Sequence, residues 1–137
     1  MAIYGAFDIS GSGLVAQRTR MDAISANLAN RTTPGFEAIE VRFAPGDPRN
    51  QSDLGVHVAS IDRVASFSGE FVQLPASDRG SKADLADGIE DGRAPLPSIS
   101  YEKSMVDGIE ALRAYEANIQ AIDTTRSMID SAIRVLA

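Results

Sequence analysis

The sequence predicts a mainly α-helical fold with a small β insertion, in which long N- and C-terminal helices pack as a coiled-coil-like pair. All six prolines lie between Pro34 and Pro97, so both ends lack the residue that most disrupts a helix. Apolar side chains recur at every seventh position in both ends. Short alternations of apolar and polar residues occur between them. The chain therefore divides into residues 1–36, 37–99 and 100–137, of which the middle segment carries the short strands.

Composition excludes several classes of function. The 137 residues suit one domain, and the net charge of −6 is concentrated in residues 37–99. Nucleic-acid phosphates need Lys and Arg, so an acidic chain argues against nucleic acid as a partner. There is no Cys and the single His is His57, which excludes a thiolate nucleophile, a Cys-based zinc site and a His-rich metal site. We expect no enzyme activity, no cofactor, no metal site and no small-molecule substrate.

The N-terminal segment, residues 1–36, is predicted to be a helix followed by a turn. Ala16, Ala23 and Ala26 favour the helix and allow another helix to approach closely. The helix should stop before Thr33, because Pro34 restricts the conformation of that residue. One apolar row at intervals of seven is expected to pack against the other helix: Phe7, Leu14, Met21 and Leu28.

The middle segment, residues 37–99, alternates in short stretches typical of strands. Ile39, Val41 and Phe43 should share one face, with polar residues between them. Residues 54–58 repeat this pattern, and residues 71–74 form a third candidate strand.

The C-terminal segment, residues 100–137, gives the stronger helical signal. Pro97 with Ser98 or Ser100 supplies a start and a cap. A helix of this length would extend roughly 55 Å, whereas a compact domain of this size has a radius of gyration of only about 14 Å. The helix must therefore pack on the N-terminal helix and on neighbouring molecules. It carries two rows at intervals of seven: Met105, Leu112, Ile119, Arg126 and Ile133, and beside them Gly108, Tyr115, Ile122, Ile129 and Leu136.

Candidate chemical sites are weak. The segment 11–13 is too short a glycine motif for a phosphate loop. His57 has no Ser or Cys partner in its pattern, which favours a strand surface residue. The acidic cluster Asp84, Asp87, Glu90 and Asp91 leaves calcium binding as an alternative, although the residue order of a calcium loop is missing. The segment before residue 8 lacks the basic start and apolar core of a Sec-type signal peptide.

Residues 25–36, SANLANRTTPGF, resemble the signature N-L/I-A-N-x-x-T-P-G-Y/F of bacterial flagellar rod, hook and hook-associated proteins. Residues 7–17, 111–119 and 127–128 are similar to both ends of the proximal-rod members of that family, whose length the chain also shares. The middle departs from the pattern, because residues 84–88 and 96–99 only echo a D-x-x-G-Y-V-x-x-P-N-V run. The turn residues that the resemblance singles out are Asn27, Asn30, Thr33, Pro34, Gly35 and Phe36.

The resemblance implies a structural subunit of the flagellar basal body, built into a helical axial tube that transmits motor torque. Its expected partners are copies of itself and other rod proteins, with the export gate and the inner-membrane ring. Its expected location is the periplasmic rod, reached by flagellar export without a cleaved signal peptide. The alternative is a coiled-coil adaptor or export partner that never enters the tube.

Overall fold

The computed structural model describes residues 2–47, 54–74 and 93–136. Two long helices flank four strands in the sequence, where the sequence predicts two helices and three candidate strands. The helices are α1 (Ala2–Ala29) and α2 (Tyr101–Leu136), and the strands are β1 (Ala38–Pro45), β2 (Val56–Val64), β3 (Phe67–Gln73) and β4 (Arg93–Pro97). The fold is thus mainly α with a small β region, in agreement with the fold class that the sequence predicts.

Helices α1 and α2 lie side by side and antiparallel. Gly13 of α1 faces Asn118 of α2, whereas Ile24 faces Gly108. Near the second of these points, Arg20 forms an ion pair with Asp107 at 3.6 Å. The earlier part of α1 therefore faces the later of these α2 positions, and the end of α1 lies near the start of α2.

The interior of the described residues is made of small side chains. Ala16, Ala23 and Ala111 are 2%, 9% and 0% exposed, and in the β region Leu74 and Ala94 are also buried. No large side chain in the described part of the chain is completely buried. Because hydrophobic stabilisation grows with the apolar area buried, the described residues gain only part of what complete burial of their large side chains would give.

Strands β1 and β2 form an antiparallel two-stranded sheet against α1. Ile39, Val41 and Phe43 are half-buried, whereas the residues between them are exposed, which confirms the predicted alternation. On the exposed side, Arg42 lies within 3.6 Å of Glu40 and 3.7 Å of Asp62. The register shifts between Arg42 and Phe43, where β2 contains one additional residue.

Strands β3 and β4 form a second antiparallel pair. β3 begins four residues before the stretch 71–74 that the sequence marks as a strand. β4 is not among the strands that the sequence predicts, and its Pro95 and Pro97 are residues that disfavour a strand locally. It is a short strand paired with β3 alone, and both prolines are buried. The amide of Gly35 donates to the carbonyl of Pro95 at 2.9 Å, which ties this sheet to the turn after α1.

Candidate assembly interface

The turn after α1 is held by the side chain of Asn27. Its Nδ2 donates to the carbonyl oxygen of Ile39 at 2.8 Å, and the amide of Ile39 donates to its Oδ1 at 2.7 Å. A side-chain amide presents the same donor and acceptor as a peptide group. Asn27 therefore pairs with the first residues of β1 as a neighbouring strand would, and it fixes the sheet to the last turn of α1.

The next part of the turn is closed by Asn30 and Thr33. Asn30 Nδ2 donates to the carbonyl of Ala26 at 2.9 Å, and the amide of Thr33 donates to the carbonyl of Asn30 at 2.9 Å. The hydroxyl of Thr33 donates to Oδ1 of Asn30 at 3.2 Å. Gly35 follows with a φ of 74°, a left-handed conformation that favours glycine. Pro34 and Phe36, the other two residues of the predicted turn motif, are half-buried beside them.

The start of α2 contacts the same turn. Ser100 is the N-cap, because its Oγ accepts from the amide of Lys103 at 3.3 Å. The Ser100 hydroxyl also donates to Glu102 at 3.0 Å. The guanidinium carbon of Arg31 lies 5.6 Å from the ring centroid of Tyr101, within the range of a cation–π contact. The end of α1 and the beginning of α2 are thus joined through side chains as well as through the sheets.

The carboxylate of Glu102 is stabilised at this helix start. Its pKa lies below the usual glutamate range, first because its own backbone amide donates to it and second because the Ser100 hydroxyl does. The positive charge of Arg31 acts in the same direction, and slight desolvation opposes both. A negative charge in the first turn also interacts favourably with the helix dipole.

The two heptad rows of α2 have different environments. Tyr115, Ile122 and Ile129 are half-buried, as is Gly108 in the same row. In the other row, Met105, Leu112, Ile119 and Ile133 are 43%, 48%, 39% and 59% exposed. The side chains predicted on α1 are all half-buried: Phe7, Leu14, Met21 and Leu28. One predicted row of α2 thus lies in the contact with α1, and the other forms an exposed apolar row.

The contact surface of α2 is completed by residues that the apolar pattern did not indicate. Ala111 is completely buried, and Ser104, Asn118 and Thr125 at the same heptad position are half-buried. On α1, Ser12 accepts a hydrogen bond from the amide of Val56 at 3.1 Å. The only sequence signal for these positions was that they are small or polar residues within otherwise apolar helices.

The described residues offer packing surfaces rather than an evident reactive centre. None of their groups of His, Cys, Asp and Glu brings three side chains together as a metal ion would require. His57 lies exposed on β2, as expected of a strand surface residue. The acidic cluster Asp84–Asp91 falls outside the described residues. No described helix is both long and apolar enough to cross a membrane.

Protein-family models match both helical ends of the chain. The model for the flagella basal body rod protein matches residues 7–36, which include most of α1 and the whole turn motif. The model for the C-terminal part of the flagellar basal body rod FlgEFG proteins matches residues 100–135, which are nearly all of α2 with its N-cap.

Curated relatives extend the similarity across the middle segment. The chain is 36% identical to the flagellar basal-body rod protein FlgC of Aquifex aeolicus, over 95% of this chain and 94% of the relative. It belongs to the flagellar basal-body rod protein family. The FlgC proteins of Borreliella burgdorferi, at 33% identity over 99% of both chains, and of Salmonella typhimurium, at 34% over 94% of both, show the same relationship. The chain is thus a rod protein of the FlgC type.

Membership in this family gives the rod protein a structural role. It is a subunit of the rod of the flagellar basal body, where it assembles with other rod proteins. The relatives are named as rod proteins of the flagellar basal body.

Proposed function

We propose that this rod protein is a subunit of the proximal rod, assembled with copies of itself and other rod proteins into a helical tube. Residues 1–36 and 100–137 form one inner-layer domain in which α1 and α2 pack as a coiled-coil-like pair. Residues 37–99 form an insertion on the outside. The rod transmits motor torque through this inner layer.

The exposed apolar row of α2 carries the proposal. Met105, Leu112 and Ile119 recur at intervals of seven and are each roughly half exposed, and no large side chain among the described residues is completely buried. A large apolar side chain contributes roughly 1.5–3 kcal/mol when it is fully buried. Contact with neighbouring subunits would supply the burial that the isolated chain lacks. A repeated contact between different surfaces that does not close into a ring generates a helical filament.

The turn motif has a positioning role in this proposal. Asn27 and Asn30 fix the exit of the chain from α1, and Gly35 allows it to reverse and hydrogen bond to β4. These bonds hold the start of β1 and strand β4 near the end of α1, so every subunit would present these strands at the same place along the tube. The family resemblance supports export of the subunit by the flagellar gate without a cleaved signal peptide. It also supports a periplasmic rod in contact with the inner-membrane ring.

The experiment that tests this proposal is incorporation of Ile119→Asp into hook–basal bodies. A charge in an apolar interface is costly to desolvate, so we expect the variant to be soluble and missing from purified hook–basal bodies by quantitative mass spectrometry. Gln120→Asp is the matched control, because it introduces the same charge at an exposed position about 100° around the helix. The control should be incorporated at the wild-type level.

Normal incorporation of Ile119→Asp would contradict the assignment of the exposed apolar row to subunit contacts. If the unmodified chain were found only in discrete soluble complexes, the adaptor alternative would replace the rod proposal.

A further inference from the structure

Helix α2 contains two possible contact surfaces that share one row of residues. Gly108, Tyr115 and Ile122 belong to both. Met105, Leu112 and Ile119 would complete the first surface, whereas the residues one position earlier complete the second: Ser104, Ala111 and Asn118. Consecutive residues of a helix are separated by about 100° around its axis. Only one of the two rows changes between the two surfaces, so the middle of the contact face moves by half that angle. The two arrangements therefore differ by a rotation of α2 of roughly 50° about its own axis.

The observed arrangement is the less apolar of the two. Ala111 is completely buried, whereas its neighbour Leu112 is 48% exposed. Hydrophobic burial alone would favour the alternative arrangement, in which Leu112 rather than Ala111 packs on α1, because leucine has far more apolar area to remove from water than alanine. Another interaction must therefore select the face of α2 that packs on α1.

Contact between Gly13 and Asn118 explains this selection. A Cβ added at Gly13 would lie 2.7 Å from Nδ2 of Asn118, 3.2 Å from its Cγ and 3.3 Å from its Oδ1. The whole amide group thus occupies the space that any larger residue at position 13 would fill. A polar side chain at a seam position is known to specify helix register and pairing at a cost in stability.

Arg126 opposes the alternative rotation. Arg126 continues the row of Leu112 and Ile119, and it is exposed in the observed arrangement. The alternative rotation would turn its charge toward α1. A charge brought into a helix seam without a partner is strongly unfavourable. Thr125, one position earlier, is half-buried and satisfies its hydroxyl by donating to the carbonyl of Ala121 at 2.8 Å.

We propose that Gly13, Asn118 and Arg126 are positioning residues that select which face of α2 packs on α1, so that Met105, Leu112 and Ile119 stay exposed. The purpose of this selection rests on the proposed function, since the exposed row is the one assigned to neighbouring subunits. The selection itself is a property of the single chain. It can be tested without assembling a rod.

The test measures thiol labelling in the full-length chain, which contains no native cysteine. Ala111→Cys reports on the buried row and Leu112→Cys on the exposed row, each reacted at low protein concentration with a water-soluble maleimide. In the otherwise unchanged chain we expect Cys at position 112 to react at least about tenfold faster, because Ala111 is buried and Leu112 is not. Adding Gly13→Leu should reverse or abolish this ratio while circular dichroism shows that the helices remain.

Gly11→Leu is the matched control, because a Cβ at Gly11 meets nothing within 4 Å, and it should leave the ratio unchanged. Arg126→Leu is the second variant, since it removes the charge that opposes rotation, and it should lower the ratio. A ratio unchanged by Gly13→Leu in a folded chain would overturn the proposal.

If Gly13→Leu unfolds the helices, the test rests on Arg126→Leu. An unchanged ratio of labelling rates at positions 112 and 111 in that variant overturns the proposal. Equal labelling of the two positions in the original chain would also overturn it. The labelling ratios could change as expected while Ile119→Asp is incorporated normally into rods. That combination would support selection of the α2 face and would contradict only the assignment of the exposed row to neighbouring subunits.

Discussion

Asn27 and Ile39 exchange two hydrogen bonds, and this pair connects the last turn of α1 with the first strand. Both bonds are part-buried, so their partners are not freely replaced by water. The side-chain amide can both donate and accept here, whereas most other side chains of this size cannot. The geometry gives the first asparagine of the turn motif a specific physical role.

Replacement of Asn27 is therefore expected to destabilise the chain. Asn27→Ala removes both bonds, each worth about 0.5–1.5 kcal/mol, and should lower the free energy of unfolding by about 2 kcal/mol. Asn27→Asp should be at least as harmful, because a carboxylate cannot donate to the Ile39 carbonyl and would face it with like charge. Urea denaturation monitored by circular dichroism measures both. Ser25→Ala, at an exposed position two residues earlier, is the control and should change stability by less than about 0.5 kcal/mol.

Gly55 allows the start of β2 to approach α1. Its φ is 107°, and a Cβ there would collide with Oγ of Ser12, which accepts the hydrogen bond from Val56. Gly55→Ala should therefore cost on the order of 1–3 kcal/mol through backbone strain, with a further loss from displacement of Ser12. Gly11→Ala should instead stabilise by about 0.5–1 kcal/mol, because position 11 is helical and has open space. Equal effects of the two substitutions in urea titrations would contradict this account.

The helices were predictable because local sequence determines them. The apolar repeat, the prolines confined to the middle and the start signal at Pro97 with Ser98 or Ser100 located both helices. The alternation of Ile39, Val41 and Phe43 likewise located β1. These signals depend on neighbours within a few turns of chain, which a single sequence contains.

Contacts between distant residues were not predictable in the same way. β4 is stabilised by pairing with β3 and by the Gly35–Pro95 hydrogen bond, although its prolines disfavour a strand locally. The face of α2 that packs on α1 depends on how closely Gly13 can approach Asn118, whereas the apolar pattern favours Leu112 and its row. The role of each predicted residue in rod assembly stays a prediction until rods are examined.

The acid dependence of stability should include a contribution from Glu102. Its pKa is lowered in the folded chain, so its stabilising contribution is present at pH values above the ordinary glutamate pKa and is lost as the pH falls through the lowered value. The free energy of unfolding, measured by urea denaturation between about pH 6 and about pH 3, should therefore fall less steeply with decreasing pH in Glu102→Gln than in the original chain. Ser100→Ala should raise the pKa of Glu102, as measured by NMR titration of its carboxyl group, because the hydroxyl donor is removed. Coincident pH profiles for Glu102→Gln and the original chain would exclude this contribution.

The ion pair between Arg20 and Asp107 joins the helices but should contribute little to stability. Both side chains are about one-third exposed and their closest atoms are 3.6 Å apart, so water and salt screen the attraction. A double-mutant cycle with Arg20→Ala and Asp107→Ala should give a coupling free energy of roughly 0.2–1 kcal/mol that shrinks as salt is raised. The same cycle between Arg20 and Glu110, an exposed acid one turn further along α2, is the control and should give almost none. A coupling above about 2 kcal/mol for the first pair would mean that the ion pair, rather than the close packing at Gly13 and Ala16, holds the helices together.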